Sequence, residues 1–244
     1  MTPEQPYEQS APLILAEPEA PFWGFGEVFI LAALYLIASM LVVSMAMAVL
    51  HERARLGYAA VAEDLIAYLI LFAVLKALFF WHQRPLLKSL GWVRQPFSPS
   101  SLIIVGLALV ALSFVLQIAL QTPNIETPFS RMLDSDALSR FVVAIFGVTA
   151  APVIEELLFR GFLQPVFVNA LGVFPGILTT SALFGALHLA QNAGIWQTGV
   201  LITLAGFGFG VVRHVSGSTR ASALAHAAYN SLPCILTLVL PNHK

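Results

Sequence analysis

Apolar residues follow one another along this chain in long, nearly uncharged runs. Several runs reach about 20 residues, the length that crosses a bilayer core as a helix. The clearest cover residues 28–50, 64–82, 101–121, 137–168, 175–190, 195–214 and 221–240. The stretch 137–168 is too long for one simple crossing. It reads as a tilted helix, a broken one, or two short helices divided near Pro152, so the count is seven or eight. The expected fold is all-α, a polytopic membrane helix bundle with about seven or eight transmembrane helices. No internal repeat is evident, which removes support for an inverted-repeat transporter.

Composition agrees. Of 244 residues, 58% are hydrophobic and only 10% are charged, against roughly 25% charged in soluble domains. Mean hydropathy is +0.83. The formal net charge of -1 offers no basic field for nucleic acid. Cys234 is the only cysteine, which excludes an internal disulfide and a cysteine-rich metal site. Residues 1–27 hold five prolines and no Lys or Arg. They read as a disordered or surface-lying tail, and they lack the positive start of a signal peptide. Arg53 and Arg55 in one loop balance Arg84, Lys88 and Arg94 in another, so the positive-inside rule assigns no orientation. Trp23, Trp81, Trp92 and Trp196 sit near span ends, where tryptophans anchor to the interface.

Ionisable residues at membrane depth are costly and usually face a bundle interior or a water-filled cavity. Glu63 and Asp64 fall at the expected start of the second span, where carboxylates suit the helix dipole, and Lys76 can snorkel. The second half differs. Glu155, Glu156, Arg160, His188, His226 and Asn230 lie in strongly apolar contexts. Residues four apart share a helix face. Glu156 can therefore pair with Arg160, and Gln164 extends that face. Glu155 is turned about 100° away and remains available as a general base. His226 and Asn230 can point into one cavity, and Phe184 lies beside His188. Each group also has a plain reading: an intrahelical pair, or interhelical glue of the kind His and Asn provide in bilayers. Glu155 is the hardest to read that way.

"EELLFR" (155–160), "FGALH" (184–188) and "HAAYN" (226–230) match, in order, the motifs EExxxR, FxxxH and HxxxN. In these the chain resembles the CPBP family, which holds CAAX prenyl endopeptidases of the Rce1 type and bacteriocin-processing or Abi proteins. The resemblance covers roughly residues 86 to 240, and "LLKSLGW" (86–92) is similar to a short interfacial segment before the family core. It divides the chain into a tail (1–27), two N-terminal transmembrane helices (28–85) and a catalytic membrane core (86–240). It implies an intramembrane glutamate endopeptidase that hydrolyses a peptide bond of a membrane-associated substrate. By position, Glu155 would activate a water and His188 would help hold it. His226 and Asn230 would stabilise the oxyanion, and Glu156 with Arg160 would order the site.

Other protease chemistries leave no trace: HExxH, GxSxG and GxGD are absent. Glu155, His188 and His226 could form a three-ligand zinc site, but a ligating carboxylate could not also be the free base. No cofactor is therefore expected, with zinc as the alternative. The expected partners are the lipid bilayer and a membrane-tethered peptide or protein substrate, with no nucleic acid. The expected location is the cell membrane of a prokaryote, in multi-pass form. The remaining alternative is a non-catalytic scaffold or bacteriocin-immunity protein of the same family.

Overall fold

The computed structural model describes residues 20–51 and 56–239. Most of the N-terminal tail, and Arg53 and Arg55, lie outside the described residues. Among these residues the chain is helical throughout, without strands: α1 (Phe25–Leu50), α2 (Gly57–Trp81), α3 (Leu86–Ser89), α4 (Pro99–Ala119), α5 (Pro128–Asp134), α6 (Ala137–Val148), α7 (Ala150–Glu156), a π-helical segment (Leu157–Leu163), α8 (Gln164–Leu171), α9 (Val173–Leu187), α10 (Trp196–Ser216) and α11 (Thr219–Val239). Six stretches are long and apolar enough to cross a membrane, and α9 is a shorter apolar helix. The chain is thus a polytopic helix bundle.

The long run is a single stretch, Ala137–Leu171, with two interruptions. The first is at Thr149 (φ -112°, ψ -77°), three residues before Pro152. A helix-interior proline lacks the N–H that would bond residue i−4, and its ring crowds that carbonyl. Here that carbonyl belongs to Val148, so the break falls at 148–149. The second is the π-helical segment. Pro165 sits at the start of α8 and crowds the Gly161 carbonyl in the same way, and a widened turn relieves it. A side chain at 161 has no room, since a Cβ there would lie 2.7 Å from the Leu90 carbonyl oxygen.

Lipid tails are as apolar as leucine, so helix association in a membrane rests on close packing and interhelical hydrogen bonds. Both are present. α11 packs on α4, α6, α7 and α10, and α9 packs on α8 and α10. The α1–α2 pair docks on the π-helical segment through Trp23, Leu75, Phe79, Leu157 and Phe162. Trp23 is therefore no interface anchor. It is buried, stacks on Phe162 with the rings 5.4 Å apart, and donates to the Phe162 carbonyl at 2.9 Å. Trp81 and Trp196 are exposed near helix ends. The 86–93 segment is tied to the start of α11, where Thr219 donates to the Leu90 carbonyl at 2.6 Å and Ser218 to that of Val93 at 2.6 Å.

α2 begins at Gly57, well before the expected start at residue 64. Its first N–H groups are capped from far along the chain. Gly57 N donates to Ser135 Oγ at 3.4 Å and Tyr58 N to Ser139 Oγ at 3.3 Å. Glu63 and Asp64 consequently lie in its second turn rather than at its end. Lys76 is exposed, where a snorkelling side chain belongs.

Candidate active site

α7 ends on Glu155 and Glu156, and the adjoining π-helical segment carries Arg160. Glu156 and Arg160 are fully buried, with Arg160 Nη1 3.0 Å from Glu156 Oε1. This is the pairing expected from the spacing of four. Arg160 Nη2 also donates to the Gly206 carbonyl at 2.7 Å, and one turn on Gln164 Nε2 donates to the Gly210 carbonyl at 3.1 Å. Two side chains four apart thus reach two α10 carbonyls four apart. The approach needs glycine, because a Cβ at 206 would stand 2.9 Å from Arg160 Nη2. The guanidinium also lies over the Phe184 ring, 4.7 Å from its centre, where the negative ring face favours a cation.

Glu155 looks elsewhere. It lines a cavity of about 310 Å³ together with His188, His226 and Asn230. The four side chains expected to do chemistry thus share one cavity, whereas Glu156 and Arg160 stand behind it. His226, on α11, links the two layers. Its Nδ1 is 3.1 Å from Glu156 Oε1, while its Nε2 is 3.8 Å from Glu155 Oε2. The first is a hydrogen bond. The second is too long for one and leaves an interval that a water or a substrate oxygen can bridge. The ring is held by Phe209, stacked 4.5 Å away at 19°.

His188 closes α9. Its Nδ1 lies 2.8 Å from the Phe184 carbonyl oxygen, and its ring is 4.5 Å from that of Phe184. A carbonyl only accepts, so Nδ1 carries the proton and Nε2 presents a lone pair. Asn230 Nδ2 donates to the Gly147 carbonyl at 2.7 Å, next to the break between α6 and α7. An amide has two N–H bonds, so one donor remains. Among the described residues, no group of three His, Cys, Asp or Glu side chains is arranged to hold a metal ion.

α2 contributes a wall that the sequence reading passed over. Val61, Asp64 and Tyr68 line the same cavity. Their spacing of three and four, with an acid and a phenol inside an apolar run, was the available signal. An expected helix start at residue 64 leaves Val61 outside the span, so this face is not visible from it.

Residues 137–232 match the family model described as "Rce1-like: Type II CAAX prenyl endopeptidase Rce1-like". The match is to a family of membrane hydrolases of the CAAX-protease type, which is consistent with the CPBP resemblance. The matched stretch is shorter than the resemblance read from the motifs. It contains every residue of the Glu155, His188, His226 and Asn230 set, but neither α2 nor α4. No curated protein and no solved structure matches the chain.

Proposed function

We propose that the chain is an intramembrane endopeptidase that hydrolyses a peptide bond of a membrane-associated protein or peptide, with Glu155 as general base. The observation that carries this reading is the division of labour between adjacent glutamates. Glu156 is locked to Arg160 and His226, while Glu155 opens onto the cavity with no direct hydrogen bond to His226. A water between Glu155 and the His188 Nε2 lone pair loses a proton to Glu155 as its oxygen attacks the carbonyl carbon. The free N–H of Asn230 donates to the resulting oxyanion, and His226, held through Nδ1 by Glu156, flanks it. Glu155 then passes its proton to the leaving nitrogen as the C–N bond breaks, giving a carboxylic acid and an amine. No step requires a metal ion.

The test is cleavage of a library of membrane-tethered C-terminal peptides by the detergent-purified protein, with Glu155→Ala alongside. Cleavage is expected with the native chain, absent with Glu155→Ala and unaffected by exhaustive chelation. Absence of Glu155-dependent cleavage across a broad library would move the chain to the scaffold reading. Loss on chelation with return on stoichiometric zinc would reassign Glu155, His188 and His226 as ligands.

A further inference from the structure

The cavity wall built by α2 lies outside the stretch that matches the protease family, and it carries a charge with no assigned use. Val61, Asp64 and Tyr68 put one face of α2 against the cavity. Tyr68 is fixed from behind by Tyr35 of α1, with the rings 5.6 Å apart and nearly parallel at 15°. Asp64 takes part in no hydrogen bond or ion pair among the described residues. Among the residues lining the cavity the acids are Asp64 and Glu155, and none is Lys or Arg.

A carboxylate at membrane depth is retained at a cost, and such residues usually pair with a partner or mark a path for one. Among the described residues, no Lys or Arg lines the cavity to pair with Asp64. Glu155 must stay unpaired to take a proton, so a cation entering the cavity has one place to settle. We propose that Asp64 is a specificity-determining residue, and that the substrate is a peptide carrying a Lys or Arg side chain close to the bond that is cut. This rests on the hydrolase reading for the role of the cavity. The Asp64 carboxylate receives the cationic side chain, and the Tyr68 ring flanks the aliphatic stem. Pairing there sets the register of the peptide, so that the neighbouring carbonyl lies against Glu155. A charge-assisted hydrogen bond of this kind is worth roughly ten- to a hundredfold in affinity.

The experiment separates binding from cleavage. Lipid-tethered peptides identical except for Lys, Gln or Glu at successive positions are titrated against full-length protein carrying Glu155→Gln, which binds without turnover. The same is done with Asp64→Asn or Asp64→Lys added, after a thermal melt has shown each variant folded. Lys peptides should bind at least tenfold tighter than Gln peptides at one position. Asp64→Asn should abolish that difference, and Asp64→Lys should reverse it in favour of Glu. With Glu155 intact, Asp64→Asn should raise KM for Lys peptides more than it lowers kcat. Equal binding of Lys and Glu peptides at every position would overturn the inference, as would an Asp64→Asn variant that weakens all peptides alike. A preference that disappears with Asp64→Asn while no peptide is cleaved would overturn the hydrolase reading and leave the cation site standing.

Discussion

Glu155 and Glu156 occupy one helical turn, yet their surroundings differ: Glu156 is paired with Arg160 and His226, and Glu155 lines the cavity. Removing Glu156 leaves Arg160 buried with the Gly206 carbonyl and without its ionic partner. Breaking a buried pair from one side costs about 3–5 kcal/mol. Glu156→Gln should therefore lower the melting temperature in detergent, with activity falling as His226 loses its anchor. Changing Glu156 to Gln and Arg160 to Leu together should recover much of the stability, because no charge is then stranded. Glu155→Gln should melt near the native temperature, while hydrolysis falls by roughly 10²–10⁴-fold, as for loss of a general base. Thermal melts beside a cleavage assay decide. If Glu155→Gln is the more destabilising and Glu156→Gln is thermally silent, the assignment of roles is reversed. The Glu156–Arg160 pair was legible because a helical spacing of four dictates it. The His226–Glu156 bond was not, because it depends on how α11 lies against α7.

At the scale of the helices, the spans were legible because a run of about 20 apolar residues has one stable form in lipid. Their ends depend on partners distant in sequence. α2 extends back to Gly57 because Ser135 and Ser139 receive its first N–H groups, and no local pattern announces that. The corner that presents those serines is held in turn by Asp136, outside the membrane span. Asp136 accepts from Ser139 N at 2.9 Å and from Ser139 Oγ at 2.6 Å. The Ser139 hydroxyl and then its backbone N–H hold the Asp136 carboxyl below its ordinary range. A carboxyl lowered in the folded state stabilises the fold above its unfolded pKa, about 4. That contribution fades as pH falls through the folded value. Asp136→Ala should thus melt below the native chain at pH 7, with the gap narrowing as pH is lowered past 4. A gap that is constant from pH 7 to pH 3 would mean that the carboxylate charge has no part in holding this corner.

At the scale of the whole molecule, the cavity joins segments from both ends of the chain. α2 supplies Asp64 and Tyr68, α7 supplies Glu155, and α11 supplies His226, Asn230 and Cys234. The polar motifs of the second half were readable one helix at a time. Their enclosure was not, since a cavity is a property of packing between helices rather than of any one of them. The same packing provides a way to watch the site. Cys234 is the only cysteine in the chain, it is half-buried, and it lines the cavity beside Asn230. A small thiol reagent should therefore modify the native protein at a single position, faster than a reagent too bulky for about 310 Å³ of space. A peptide that occupies the cavity should slow that modification, and prior modification should block peptide cleavage by filling the space next to Asn230. Both effects are read on unmutated protein, by mass spectrometry for the label and by product formation for the activity. Cys234 that reacts at the same rate with and without a saturating substrate peptide would place the peptide somewhere other than this cavity. Glu155 and Asp64 would then have to be explained without a substrate between them.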